Sequence, residues 1–442
     1  MATASITVDS AKEGGNLYDW DYFENVPEYH PIADADNLYD AFQKARKGSQ
    51  WKGQVQRFRW NLLSEIRKLQ KELDNFEKNR DGAYQLSPYS EFLVNERGKV
   101  RAITALGIRD RVVKHVLNDV FLLPHIRPHL IYDNGASLEG KGVSFTRNRL
   151  LAHLESFYRD TGSNNGYILT IDFSGYYDNI DHEKAMEMIC KYEHDEMAQR
   201  LVRQAYDSYA VDVSYMTDAE FEKAKNEKYS TVQYRAENHE KGRTKFLHKS
   251  LSVGDQTSQI TAVAFATPID DLMKTVNGVE YYARYMDDIY VMAETREELL
   301  DLKDQICEKA KELKLFINPK KTKIGRIDRT FTFLQFKYRL ENNGHVVARI
   351  NPKTATRMRR KLKKLKRLNI KQEKIESLFQ SWIGNFYKYM SKKQISNMTT
   401  LYQDLFGGGL DQWMKEHLKL HLPMAPSSQP CPMEQATTSQ TP

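Results

Sequence analysis

A chain of 442 residues, 40% hydrophobic and 28% charged, is ordinary for a globular protein and too long for one compact core, so two or three subdomains are expected. Its net charge of +7 is mild, but residues 1–40 hold nine acidic side chains against Lys12 alone, which leaves the remainder more basic than the sum implies. Cys190, Cys307 and Cys431 form no CxxC pair, and no apolar run approaches the roughly 20 residues of a membrane span, so a zinc or disulfide framework and a membrane-spanning chain are excluded.

The amino terminus, "MATASITVDSAKEGGNLYDWDYF", has neither the basic start nor the apolar centre of a signal peptide, and with the scattered cysteines it predicts a cytoplasmic protein. Residues 1–35 read as loosely ordered, with enough aromatics in "YDWDYFENVPEYHPI" to dock. Val55, Phe58, Leu62, Ile66, Leu69 and Leu73 recur at steps of three and four, which predicts one amphipathic helix with a basic outer face. "EFLVNERGKVRAITAL" reads as two strands joined at Arg97-Gly98, and "IRDRVVKHVLNDVFL" returns to a helical period. "YILTIDF" (167–173) is an apolar strand after the breaker "SNNG". A helix is predicted from near Asp181 through "RQAY". Residues 215–249 are polar and aperiodic and read as an excursion with a short hairpin. "EYYARYMDDIYVMA" (280–293) is strand, turn, strand, followed by a helix opened by a capping box of Thr295 and Glu298. "FTFLQFKYRLENNGHVVARI" reads as two strands around "NNG". From 354 to about 406 the chain is helical, with Met358, Leu362 and Leu365 as an apolar stripe inside "RMRRKLKKLKR". The last stretch holds five of thirteen prolines and reads as a disordered tail.

Two apolar strands thus carry aspartate at an end: Asp172 on one, Asp287 and Asp288 on the other. A lone charge at the end of a buried strand costs several kcal/mol unless it is paired or metal-bound. Packed side by side, the strands would bring three mutually repelling carboxylates together, a conflict that two divalent cations remove. Such an ion pair is the usual apparatus of in-line phosphoryl transfer to a 3′-hydroxyl. The plainer reading makes "DD" a turn and Asp172 a cap for a helix at 174–185.

The succession of segments resembles a reverse transcriptase. "YMDD" (285–288) is similar to that family's motif C and "DFSGYYDNIDH" to motif A, whose metal-binding aspartate would be Asp172. "SVGDQTSQITAVAFATPIDDLM" resembles motif B, and "LKLFINPKKTKI" motif D with Lys321 at its basic position. "FTFLQFKY" resembles the primer grip, except that Gln335 stands where Gly is usual, so the tightness of that turn is open. "GKVRAITALGIRDRVVKHVL" and "GASLEGKGVSFTRNRL" resemble fingers segments, and the likeness covers about residues 38–405. It implies an α+β right-hand polymerase. An acidic segment (1–37) would precede fingers (38–160), then a palm of antiparallel sheet plus helices (161–345) with its excursion at 215–249. A helical thumb (346–408) and a C-terminal segment (409–442) with a disordered tail would follow.

The resemblance also implies roles. Asp172, Asp287 and Asp288 would be catalytic and, with Phe173, would hold two Mg²⁺ ions, or Mn²⁺ in their place. Lys99, Arg101, Tyr177, Gln259 and Lys321 would meet the incoming deoxynucleotide, Tyr177 as a ring that clashes with a ribose 2′-hydroxyl. Arg357, Arg359, Arg360, Lys363, Lys364 and Lys388 would grip nucleic acid through salt-sensitive backbone contacts. Each role has a structural competitor. Tyr177, Trp382 and Phe386 fit core packing, Lys99 and Arg101 a solvated hairpin face, Ser258 a helix cap, and the basic run an ordinary surface helix.

The partners implied are an RNA template, a DNA product and deoxynucleotides, with no membrane and with oligomerisation open. Among small bacterial types, the expectation leans to a defence enzyme copying a dedicated noncoding RNA. The "GDQTSQ" of motif B is similar to the diversity-generating retroelement form, which keeps that reading close behind. A template-independent or RNA-making polymerase and a catalytically dead scaffold are the remaining alternatives.

Overall fold

The computed structural model describes residues 29–96, 99–230, 244–407 and 410–418. Two compact units interleave along the chain: residues 1–146, 171–289 and 301–322 in the first, and residues 147–170, 290–300 and 323–442 in the second. Among the described residues the strands are β1 (Ser90–Glu96), β2 (Lys99–Ala105), β3 (Tyr167–Asp172), β4 (Val211–Asp212), β5 (Phe246–Leu247), β6 (Tyr282–Tyr285), β7 (Asp288–Ala293), β8 (Lys323–Arg326), β9 (Phe331–Phe333), β10 (Phe336–Leu340) and β11 (Val346–Ile350). They form sheets ordered β1-β2, β4-β5, β6-β7-β3-β8 and β11-β10-β9, so the fold is a mixture of helices and largely antiparallel sheet.

In the first unit, the predicted helix over Val55–Leu73 is two helices, Gly53–Trp60 and Leu62–Glu77, because Asn61 leaves helical geometry (φ −108°, ψ 29°). The apolar stripe survives the break: Val55, Phe58, Ile66, Leu69 and Leu73 are buried, and Leu62, at the break itself, is half-buried. Pairing of Glu96 with Lys99 closes the β1–β2 hairpin over two residues, and its turn, Arg97-Gly98, lies outside the described residues. The amino-terminal aromatic stretch is described from Tyr29 on. There His30 Nε2 bonds Asp195 at 2.9 Å and Ile32 is fully buried.

The helix expected from Asp181 is likewise two, His182–Tyr192 and Glu196–Tyr209, each opened by an aspartate, Asp181 and Asp195, that accepts from a backbone N–H three residues on. Motif B becomes the helix Gln256–Phe265, buried on nearly every side although Thr257, Ser258 and Thr261 are among its buried residues.

The excursion holds more order than its composition suggests. Thr217 and Glu220 form a capping box that starts a helix, Asp218–Asn226, and β5 returns to pair with β4. Val213, Met216, Ala224, Tyr229 and Leu247 make a small core of its own, while residues 231–243 lie outside the described set.

In the second unit, "FTFLQFKYRLENNGHVVARI" is three strands, because a turn at Leu334-Gln335 divides the first predicted one. Both turn residues have positive φ, +43° and +71°, so the turn is tight without its glycine. Thr295 accepts from the Glu298 N–H at 3.3 Å and caps the following helix as expected. The helical region resolves into Pro352–Arg367, Gln372–Phe386 and Lys392–Phe406 around a core that includes Leu362, Phe379, Ile383 and Tyr402. A further helix, Leu410–Leu418, buries Leu410 and Met414 in that core, within the C-terminal segment (409–442) to which the sequence reading assigned no element. The proline-rich tail beyond it lies outside the described residues.

Candidate active site

β3 and β7 are neighbours in the sheet, as the two aspartate-bearing strands were expected to be. The Phe173 N–H donates to the Asp287 carbonyl at 3.4 Å, which sets the two strand ends side by side within the first unit. A cavity of about 590 Å³ opens there, lined by Asp172, Asp287, Phe173, Tyr177, Arg101 and Lys321, with Asn318 and Lys228 beside them. Asp288 begins β7 and does not line it. Among the described residues no three or more Asp, Glu, His or Cys side chains stand close enough to hold a metal ion, so the expected three-carboxylate cluster is not formed in this geometry.

The plainer reading of these aspartates fails at Asp172. The short helix after it, Tyr176–Asn179, has no side-chain cap, and Gly175 at its N-cap sits at φ +58°. Asp172 instead accepts from Lys321 Nζ at 2.5 Å and from Asn318 Nδ2 at 3.3 Å, while its backbone carbonyl accepts from the Asn318 N–H at 2.8 Å. The Lys321 ammonium occupies a carboxylate face that a cation could take, and Asp172 and Asp287 are hard oxygen donors of the kind Mg²⁺ uses together with substrate phosphates. Lys321 is engaged with Asp172, where the sequence had assigned it to the nucleotide.

"YMDD" is a tight turn. Met286 lies at φ +54°, a conformation a non-glycine residue keeps only when its surroundings enforce it. The enforcement comes from Arg284, fully buried, which donates Nε and Nη2 to Asp270 at 2.8 and 2.6 Å, Nη2 to the Val263 carbonyl at 2.8 Å, and Nη1 to the Met286 carbonyl at 3.3 Å. The Tyr282 hydroxyl donates to the same aspartate at 2.6 Å. Sequence reasoning missed this pair; its only trace was a charge inside "YYARYM" and another inside motif B.

Tyr177 is half-buried in the cavity wall. Its carbonyl accepts from the Leu251 N–H at 2.9 Å, and burial, then the Asp287 charge, push its phenol well above the usual range, so the ring stays neutral beside the carboxylate. Its neighbour Tyr176 is the true core aromatic, donating its hydroxyl to the Ala262 carbonyl at 2.8 Å. Lys99 begins β2, but its side chain lies outside what the structure describes. Gln259 does not line the cavity; its amide donates to Ser137 Oγ at 2.8 Å, tying motif B to the "GASLEG" segment. Ser258 is buried and donates to Asp255, the residue that caps the helix.

In the second unit, Arg357, Arg359, Arg360, Lys363 and Lys364 are exposed along Pro352–Arg367, while Met358 and Leu362 are buried and Leu365 half-buried. Lys388 is exposed in the turn Tyr387–Tyr389. Trp382 and Phe386 pack against the helical core with their rings tilted and centroids 5.4 Å apart, as packing residues.

Two solved structures illustrate the distant surroundings of this chain. Apo telomerase from Candida tropicalis is 12% identical, with 81% of this chain and 66% of that one covered at a TM-score of 0.46. Telomerase from Candida albicans in complex with a TWJ fragment of telomeric RNA is 12% identical, with 74% and 62% covered at a TM-score of 0.40. The chain thus spans just under two thirds of the length of each. No curated protein sequence matches it. The profile of the family described as "Reverse transcriptase (RNA-dependent DNA polymerase)" matches residues 93–338, more than half of the 442 residues, from within β1 through most of β10. The chain belongs to the reverse transcriptase family.

Proposed function

We propose that this protein is an RNA-directed DNA polymerase that adds deoxynucleotides to a primer 3′-hydroxyl. The observation that carries the reading is the meeting of Asp172 and Asp287 in one nucleotide-sized cavity with Tyr177 and Arg101. In the reaction the 3′-oxygen forms a bond to the α-phosphorus, the bond to the leaving pyrophosphate breaks, and the hydroxyl proton is lost to solvent. Asp172 and Asp287, with Asp288 and Phe173 at their sides, would hold Mg²⁺, which when bound neutralises charge on the reacting phosphate. Arg101 meets the phosphate oxygens through charge-assisted hydrogen bonds. The Tyr177 ring lies under the sugar and disfavours a 2′-hydroxyl. Lys321 lines the same cavity, Lys99 and Gln259 are kept as nucleotide contacts on the family resemblance alone, and the exposed basic face of Pro352–Arg367 with Lys388 holds the template–primer backbone.

The template is read as a dedicated noncoding RNA copied in antiphage defence. A diversity-generating retroelement enzyme is the second reading, favoured by "GDQTSQ" in motif B. Free, half-buried Cys190 and Cys307 suit a reducing cytoplasm, and among the described residues no helix is long and apolar enough to cross a membrane.

Primer extension on RNA with the wild type and Asp287→Asn tests the chemistry, with a loss of at least about 10²–10³-fold expected; equal rates would sink it. Sequencing the RNA and DNA that purify with the wild type and with an Asp287→Ala, Asp288→Ala double variant tests the template. One abundant RNA whose cDNA disappears in the variant is expected. A copied repeat with scattered adenine errors would favour diversity generation, and unchanged DNA would remove both.

A further inference from the structure

Among the described residues of the excursion one side chain reaches the active-site cavity, and nothing in the sequence motifs anticipates it. Lys228, two residues beyond the helix Asp218–Asn226, is exposed and lines the same cavity as Asp172, Asp287 and Arg101. Its neighbours are held on both sides. The ammonium of Lys249, itself 2% exposed, donates to the carbonyls of Ala224 and Glu227, each at 3.2 Å. On the other side Tyr229, 1% exposed, is clamped by Asn179 of motif A: Asn179 Oδ1 accepts from the Tyr229 N–H at 2.6 Å and Nδ2 donates to the Tyr229 carbonyl at 3.2 Å.

A solvated surface lysine needs none of this. Burying Lys249 costs free energy, visible in the way burial pushes its ammonium down to about 8. That cost is met where it fixes the two carbonyls just ahead of Lys228, and Asn179 ties the residue just after it to the loop that carries Asp172. The position of Lys228 is therefore locked to the catalytic aspartate through its own motif.

The cavity's chemistry names the ligand. Lys321 is engaged with Asp172, and among the described residues Arg101 and Lys228 are the other cations of the lining, suited to anionic oxygens. At about 590 Å³ the space suits a single nucleotide better than a strand. A lysine is a compact point charge that follows a flexible phosphate chain, where arginine supplies a fixed fork. Resting on the polymerase reading above, we infer that Lys228 binds the triphosphate of the incoming nucleotide together with Arg101, which makes the excursion a wall of the nucleotide site.

The test is primer extension with deoxynucleotide titration on Lys228→Ala, Lys228→Arg and, as a control on the preceding helix, Lys223→Ala, whose exposed ammonium pairs with Glu227 at 3.5 Å. The nucleotide KM should rise by about tenfold in Lys228→Ala, the worth of one charge-assisted hydrogen bond. It should return in Lys228→Arg and stay put in Lys223→Ala, with kcat and primer–template Kd unchanged. An unchanged KM overturns the inference, and so does a rise in primer–template Kd alone, which would make Lys228 a strand contact. If Lys228→Ala lowers Tm, the arginine variant decides: recovery of Tm without recovery of KM overturns the inference. Should the wild type extend no primer, the polymerase reading fails by itself. Equilibrium dialysis of a deoxynucleoside triphosphate against wild type and Lys228→Ala then still reads this lysine, and equal binding overturns it.

Discussion

Arg284 carries a full charge into a place with no solvent. Its partner Asp270 is equally buried, and Tyr282, Val263 and Met286 satisfy what remains of both groups. A buried pair so completely bonded adds little net stability over an apolar pair, but removing one partner strands the other. Asp270→Ala should lower unfolding stability by about 3–5 kcal/mol in denaturant titration. Arg284→Lys should fail to restore a native midpoint, because an ammonium cannot span the aspartate and two carbonyls at once. A midpoint within error of wild type for either variant would show that the pair does not hold the turn. The same logic explains why Met286 tolerates φ +54°: the Arg284 guanidinium reaches its carbonyl from a position that cannot move.

At the scale of elements, local chemistry and tertiary demand part company at two places. The Leu334-Gln335 turn joins β9 to β10 with positive φ at both residues, and the Gln335 carbonyl accepts from the Asn351 N–H at 3.2 Å. Glycine has no Cβ to strain at φ +71°, so Gln335→Gly should raise stability by about 0.5–1 kcal/mol in chemical denaturation. A loss of stability would mean that the glutamine side chain supports the hairpin. The basic helix Pro352–Arg367 is the second place: its buried stripe and charged face share one segment, and only the charged face is offered to a partner. Neutralising Arg359, Arg360 and Lys363 to glutamine should flatten the dependence of log Kd for a primer–template on log salt, by up to about 0.9 for each phosphate that is no longer neutralised, with little change in Tm. An unchanged slope would assign the face to solvent alone.

The excursion helix is the instructive case of what sequence period misses. Asp218–Asn226 buries only Ala224, so no apolar rhythm marks it, and its signal was the capping box at Thr217 and Glu220. Asn61 and Glu193–Asp195 ended helices whose apolar period runs on unbroken, because a period reports which face is buried and not whether the backbone is continuous.

For the molecule as a whole, pH reports on a buried histidine in the first unit. His182 donates Nε2–H to the Ser250 carbonyl at 2.7 Å and stacks on Tyr206, and burial pushes its pKa down from 6.5 to about 4. The unfolded chain therefore takes up a proton first as pH falls. Stability contributed by the neutral ring is intact above pH 6.5, declines between 6.5 and about 4, and is level below, with a total of about 3 kcal/mol at most. Chemical denaturation midpoints from pH 7 to 4 check this, and His182→Gln should flatten that limb; equal slopes for both proteins would place the effect elsewhere.

What the sequence determined by itself was the identity and order of the chemistry: apolar strands ending in Asp172 and Asp287, the motif B helix, and a basic helix with one apolar stripe. These are legible because hydrophobic period, turn residues and charge at strand ends are properties of neighbours along the chain. Tertiary structure decided the rest. It set Asp288 outside the cavity lining, turned Lys321 onto Asp172, engaged Gln259 with Ser137, and locked Lys228 into the wall through Asn179 and Lys249. Each of those outcomes joins residues tens to more than a hundred positions apart, or depends on which way a strand end turns, and no local period or propensity carries that information.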